Sequence, residues 1–291
     1  MIQKLNLESH ELHCQKNPNS INLNSKLYFK QIFFTLSFLT AFLFNSFSFA
    51  IVQGEIMNPD DLMAKSVVAI LNIERPGLCS GTLLAGNLVK TAAHCLASDV
   101  SKMKILFGHN LNEKREVRKV DDISLNMMSI RLTIPDQKDT GDIALLHFSG
   151  SIPEGFEPAE LLMDESNLNK GAIVYTAGYG MSDISAKEGS GILRKTSVII
   201  SDNQFALTEV TTSFTNGSGP CKGDSGGPAY VVIDGKPMVW GVVSRNAVDS
   251  EFCNVDMVYT NAIKYKEWIA HASSSLIAKA NLNRKEMYAQ K

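Results

Sequence analysis

The chain has 291 residues, 44% of them apolar and 20% charged, with a formal charge of −2. That length allows one or two domains and a core that removes roughly three quarters of the unfolded surface from water. The near-neutral balance excludes the basic footprint of a nucleic-acid binder or of a protein held electrostatically on an anionic membrane.

Residues 1–30 are polar and carry Lys16, Lys26 and Lys30, whereas Gln31 to Gly54 contains no charge and Ile32–Phe44 is a dense apolar run. Ser48-Phe49-Ala50 then places small residues at the two positions a signal peptidase reads. A positive flank, a short apolar stretch and a small-x-small site describe a secretory signal peptide, here over residues 1–50 with a long N-terminal extension. The rival is a membrane anchor over 31–50, but the apolar run is short for a hydrocarbon core ~30 Å thick. The mature chain is expected to be secreted or periplasmic, without stable membrane association after cleavage.

Cleavage would remove Cys14 and leave Cys79, Cys95, Cys221 and Cys253. In an oxidising compartment an even set reads as two disulfides, and four cysteines allow three pairings between which spacing does not choose. No Cys-x-x-Cys or clustered Cys/His spacing supports a metal site. No cofactor is expected.

Beyond residue 50 the chain reads as all-β. Short runs rich in Val, Ile, Leu and Thr recur between turn residues: Ser66–Asn72, Thr82–Leu84, Lys104–Phe107, Ile143–His147, Ala172–Ala177, Thr196–Ile200, Ala229–Ile233 and Met238–Ser244. Regular short strands with Gly, Pro, Asn and Asp between them suggest a sandwich or barrel. Asp234-Gly235 predicts a hairpin. Two prolines and two glycines in Ser149–Pro158 mark a break, dividing the body into 51–155 and 156–278. A helix is predicted from about Asn261 to Ala278, with Ile263, Trp268, Ile269, Leu276 and Ile277 on one face. Residues 279–291, with Lys279, Arg284, Lys285 and Lys291, read as a frayed polar tail.

Three segments carry chemistry: Val89-Lys-Thr-Ala-Ala-His94-Cys95, Thr140-Gly-Asp142-Ile-Ala-Leu-Leu146 and Cys221-Lys-Gly-Asp-Ser225-Gly-Gly-Pro228. Each alone has a bland reading as a structural histidine, a turn aspartate or a glycine-rich bend. Gly-Asp-Ser-Gly-Gly-Pro behind the other two, in the order His, Asp, Ser, resembles the chymotrypsin/trypsin-like serine protease family, whereas subtilisin-like and α/β-hydrolase enzymes use other orders. The resemblance extends over nearly all of the chain after residue 50, through Cys79-Ser-Gly-Thr-Leu-Leu, Gly178-Tyr-Gly180, Gly241-Val-Val-Ser244, Val258-Tyr-Thr-Asn261 and Trp268-Ile269.

The resemblance implies two antiparallel six-stranded Greek-key β-barrels, a closing C-terminal α-helix and an active site in the cleft between the barrels. It implies a secreted serine endopeptidase acting on protein or peptide substrates through an acyl-enzyme intermediate, and a monomer is expected. Ser225 would be the nucleophile, His94 the general base and then acid, and Asp142 the group that orients the imidazole. The amides of Gly223 and Ser225 would form the oxyanion hole. Cys79 would pair with Cys95 and Cys221 with Cys253. Ile51-Val-Gln-Gly54, directly after the predicted cleavage site, matches the sequence whose freed amino group pairs with the aspartate before the nucleophile, here Ile51 with Asp224.

Departures from the family pattern concern specificity. Trypsin-like enzymes carry an aspartate six residues before the nucleophile, and here that position is Gly219, so cleavage after Arg or Lys is not expected. Ser244-Arg245-Asn246 replaces the usual Ser-Trp-Gly, and Met257 stands where a pocket-lining glycine is usual. Asn246 and Met257 would narrow the pocket, which argues for a small or neutral substrate residue or for a shallow, unusual site; Arg245 either favours an acidic group nearby or, as expected, points to solvent. The region matching the calcium loop, Gly108–Val120, is mostly basic, so no calcium is expected; His109, His147 and His271 read as surface or packing residues. The rival of another class is a catalytically silent homologue that binds a partner through the same cleft.

Overall fold

The computed structural model describes residues 51–52, 54–75, 77–129 and 138–289. The signal segment, its rival as a membrane anchor, Cys14 and the last two residues of the tail lie outside the described residues. No described helix is long and apolar enough to cross a membrane.

Strands β2 (Val67–Asn72), β3 (Leu78–Leu84), β4 (Leu88–Thr91), β5 (Met103–Phe107), β6 (Glu116–Leu125) and β7 (Ala144–Phe148) close into an antiparallel barrel in the order β2-β3-β4-β7-β6-β5. The jump from β4 to β7 across the β5–β6 pair makes the topology Greek-key. A second closed barrel consists of β9 (Ile173–Gly178), β10 (Arg194–Asp202), β11 (Glu209–Phe214), β12 (Pro228–Ile233), β13 (Lys236–Asn246) and β14 (Met257–Asn261). Its strands run β9-β10-β11-β14-β13-β12 and return to β9. Two short strands attach to it: β1 (Glu55–Ile56) pairs with β10, and β8 (Glu160–Leu161) runs parallel to β13. The segment before the first barrel therefore lies against the second.

The expectation of paired six-stranded barrels with a closing helix is met. The sequence pattern behind it is visible in β7, where all five residues of Ala144–Phe148 are buried. Leu146 and Phe148 face the barrel core while Leu145 faces the layer beneath the C-terminal helix, so alternate side chains enter two apolar environments and the strand reads as a continuous apolar run. In β10, by contrast, Val198 and Ile200 are fully buried while Ser197 and Ile199 are half-buried, the alternation of a strand with one covered face.

The polar strand β6 was not predicted. Of its ten residues only Val120 is buried, so periodicity gives no signal and pairing with β5 and β7 supplies the structure. Strand β11 also escaped prediction, because Glu209 and the threonines that follow lack the apolar signature.

The helix α1 (Lys266–Ala289) extends further than expected and continues through residues 279–289. Ile269, Ala272 and Leu276 form its buried face, and Ile277 packs over Gly86 of the first barrel. Lys279 pairs with Asp122 of β6 at 2.8 Å, which holds the helix to the barrel beyond the last apolar anchor.

Candidate active site

Each of the three sequence segments ends in a loop at the seam between the barrels. His94 sits in a one-turn 3-10 helix, Ala93–Cys95, at the end of β4. Asp142 lies two residues before β7, and Ser225 three residues before β12. The serine loop reaches the histidine strand because Gly226 has no side chain. It adopts φ +81°, and a Cβ there would lie 2.5 Å from the Ser80 carbonyl and 2.9 Å from the Ala92 amide. Ser80 completes the junction: its amide donates to the Ser225 carbonyl at 2.8 Å and its hydroxyl to the Gly223 carbonyl at 2.9 Å.

The histidine and the aspartate meet directly. Asp142 is fully buried; its Oδ2 lies 2.8 Å from His94 Nδ1, and its Oδ1 accepts the His94 amide at 3.1 Å. The Ser244 hydroxyl donates to Oδ2 at 2.6 Å, and the Thr260 hydroxyl donates to the Asp142 carbonyl at 3.1 Å. Burial alone would raise the Asp142 carboxyl, but the charge and hydrogen bonds of His94 and the Ser244 hydroxyl hold it below its ordinary value. Burial alone would likewise lower the His94 imidazole; Asp142 outweighs burial, with Arg75 opposing, and leaves it above its ordinary value. With a carboxylate at Nδ1, that nitrogen carries the proton and Nε2 keeps its lone pair free for the cleft.

Ser225 is half-buried on the opposing side of this junction. Its carbonyl lies 3.7 Å from Cys95 Sγ, in the residue next to His94. Among the described residues no hydrogen bond joins its hydroxyl to His94. Such contacts are often long before substrate binds and tighten in the complex.

From Gly223 to Gly227 two backbone donors are unengaged among the described residues. Asp224 donates its amide to the Cys221 carbonyl, Gly226 to Val243 and Gly227 to Asp224. The amides of Gly223 and Ser225 have no protein acceptor among the described residues. Gly223 stands at φ +103°, and a Cβ there would approach Gly180 Cα to 2.8 Å, so this backbone path requires glycine.

Two disulfides flank the site: Cys79–Cys95, with Cα atoms 6.1 Å apart, and Cys221–Cys253, with Cα atoms 5.2 Å apart. Cys79, His94 and Cys95 are the one described grouping with metal-ligand spacing, but their sulfurs are bonded to each other and His94 faces Asp142. They do not form a metal centre.

This arrangement coincides with a family-wide match. A family model described as Trypsin covers residues 58–269. The chain belongs to the trypsin family. It is a serine endopeptidase, and its substrates are proteins or peptides. It is 27% identical over 214 residues to kallikrein 1-related peptidase b27 of Mus musculus, covering 66% of this chain and 79% of that one. It is 27% identical over 206 residues to chymotrypsin-like elastase family member 1 of Rattus norvegicus, covering 66% and 77%. It is 27% identical over 234 residues to a chymotrypsin of Phaedon cochleariae, covering 76% and 82%.

In this trypsin-family chain Asp224 is fully buried, accepting the amides of Gly180 and Cys221 at 2.8 Å each. Burial pushes its carboxyl up to about 7, although those amides and the charge of Arg194 oppose the rise. Ile51 is also fully buried, and Val52 bridges to Gly219.

The residues expected to line the specificity pocket divide. Ser225, Ser244, Arg245, Asn246 and Met257 line one small cavity of about 150 Å³. Gly219 does not reach its wall. Arg245 does not point to solvent: its guanidinium grips the fully buried carboxylate of Glu209 through two hydrogen bonds of 2.8 Å. The same carboxylate accepts the amide and hydroxyl of Thr140, two residues before Asp142. The buried acid holds Arg245 inside, because leaving Glu209 without its guanidinium would cost more than hydration of Arg245 returns.

Sequence reasoning gave no role to Ser80, Glu209, Thr140 or Thr260. Ser80, Thr140 and Thr260 stand inside recognised segments, which is the signal available; Glu209 lies in none, and its partners Thr140 and Arg245 are remote in sequence. His109 stacks on Phe156 with ring centroids 5.2 Å apart, and His147 Nδ1 lies 2.6 Å from Asp121, so both pack as predicted; His271 is exposed on α1.

Proposed function

We propose that this chain is an exported serine endopeptidase whose catalytic triad is His94, Asp142 and Ser225, with specificity unlike that of trypsin. The observation that carries the proposal is the buried Asp142 carboxylate bound to His94 Nδ1, which leaves Nε2 available as a base. Ser225 Oγ attacks the scissile carbonyl as its proton passes to Nε2, and the carbonyl oxygen becomes an anion within reach of the Gly223 and Ser225 amides. Collapse of this intermediate breaks the C–N bond, His94 protonates the departing amine, and water then hydrolyses the acyl-enzyme by the same route. Two disulfides are consistent with an oxidising compartment and hence with export.

Activation follows from Asp224. Processing before Ile51 creates an ammonium at a buried residue whose neighbour Val52 already bridges to Gly219, and pairing with the buried Asp224 would order the serine loop. N-terminal sequencing of the exported protein should return Ile51; another terminus removes this step.

A fluorophosphonate probe tests the whole reading. It should label Ser225 in processed protein, and Ser225→Ala should abolish labelling and lower kcat by about 10⁴–10⁶-fold with the fold retained. An unreactive Ser225 in processed protein would remove it from the proposed triad.

A further inference from the structure

We infer that Arg194 is a positioning residue: its buried guanidinium supplies part of the counter-charge for Asp224 from within the fold. The serine loop is then partly ordered, and Ser225 reactive, before Ile51 is freed. The inference rests on Ser225 being the nucleophile, and it goes beyond the Ile51 pairing by assigning a second cation to the same carboxylate.

Strand register brings the two charges together. Arg194 opens β10 and lies directly opposite Gly178, the last residue of β9. Opposed residues of an antiparallel pair project their side chains from one face, about 5 Å apart. Gly178 projects none, and the Asp224 carboxylate fills that place, where a Cβ at Gly178 would collide with Oδ1. The carboxylate therefore stands beside the root of the Arg194 side chain.

Arg194 is only 3% exposed, yet among the described residues no carboxylate forms a direct ion pair with it. Its Nη1 donates to the carbonyls of Gly189 and Ile192 at 3.0 Å each, and the buried Nε has no acceptor among the described residues. A guanidinium does not shed its proton in a protein, and a charge taken out of water without a counter-charge is costly. A second buried charge of opposite sign offsets that cost at longer range, because little water lies between the two to screen them. The influence is mutual. Burial lowers Arg194 and Asp224 opposes the fall; burial raises Asp224 and Arg194 opposes the rise.

The same guanidinium fixes the loop that grips the carboxylate. Gly189 and Ile192 belong to the connection between β9 and β10. From its other end the Gly180 amide donates to Asp224 Oδ1 at 2.8 Å and the Met181 amide to the Lys222 carbonyl at 2.9 Å. Arg194 thus holds the loop through two carbonyls and the carboxylate through charge.

The experiment compares processed protein with the full chain blocked at its cleavage site by Ala50→Trp, its N-terminus verified to precede Ile51. The readout is the rate of fluorophosphonate labelling of Ser225. With Arg194 present, the unprocessed chain should label, more slowly than processed protein. Arg194→Gln should raise the processed-to-unprocessed ratio of rates by at least about 10-fold, the scale of one interaction with a buried charge. The ratio rises because the Ile51 ammonium compensates only after the cut. Arg194→Lys restores the charge and should bring the ratio back toward wild type, which a packing role alone would not do. An unprocessed chain that stays unlabelled while processed protein labels overturns the inference without any change at Arg194, and leaves Ser225 and the Ile51 pairing standing. A ratio unmoved by Arg194→Gln, or left equally high by Arg194→Lys, also overturns it. Absence of labelling in both forms with Arg194 present overturns the inference together with the reading it rests on.

Discussion

The hydroxyl of Ser244 and the imidazole of His94 converge on one oxygen of Asp142, at 2.6 Å and 2.8 Å. The serine comes from β13 of the second barrel and the histidine from the loop after β4 of the first. The carboxylate is thus oriented from both barrels at once, and its rotation is blocked by the His94 amide on its other oxygen.

Replacing Asp142 should show what that orientation does. Asp142→Asn removes the charge that raises the His94 imidazole, so the acid limb of kcat/KM against pH should move to lower pH. The rate should fall by about 10⁴-fold, the loss known for the equivalent change in the family's archetype. Ser244→Ala removes one hydrogen bond to a charged group and should cost about 10–100-fold. Full pH–rate profiles of both variants check this.

The Arg245–Glu209 pair should be costly to break from one side. Glu209→Gln leaves the Arg245 guanidinium without the charge of Glu209, and Arg245→Met leaves a buried carboxylate held only by Thr140. Because Arg245 is 30% exposed, each single change should cost at or below ~3 kcal/mol. The double variant should lose less than the sum, since neither orphan remains. Urea unfolding of the four proteins measures this coupling.

Lys90 is buried on β4 with its amine 3.0 Å from the Gly241 carbonyl. Burial lowers it from 10.5 to about 7. Between those values the unfolded chain binds a proton that the folded chain does not, so this group makes stability rise with pH across that window. Below about 7 the penalty is present in full. Lys90→Met should therefore stabilise the protein by a few kcal/mol near pH 7 and flatten the slope above it. Unfolding free energies from pH 6 to about 10 test the sign.

Asp224 predicts the opposite slope. Its folded carboxyl lies at about 7, above 3.8, so in the unprocessed chain it makes stability fall as pH rises through that interval. A free amino group at Ile51 would supply the missing counter-charge and remove the fall. Comparing processed and unprocessed protein from pH 4 to 7 should show the unprocessed form losing more, and equal slopes would remove the Ile51–Asp224 pairing.

The barrels were legible where strands face one or two apolar layers, as in β7 and β10, because period-two burial is written directly into residue type. They were illegible in β6 and β11, whose polar residues become strands only when neighbours offer their edges. The helix was foreseen through Ile269 and Leu276, yet its last turns were taken for a tail. Lys279 looks like any surface lysine until Asp122 is brought beside it.

The family and the three loops that carry chemistry follow from residue order alone, since glycine, serine and histidine in fixed local order specify backbone paths that need few distant partners. What surrounds those loops depends on how the strands pack. Ser80 against the serine loop depends on how the two barrels meet, while Glu209 against Arg245 and Phe214 against Gly219 depend on how the second barrel closes on itself. A buried side chain's role is set by the groups that replace its water, and those groups lie on strands that meet only after the barrels close.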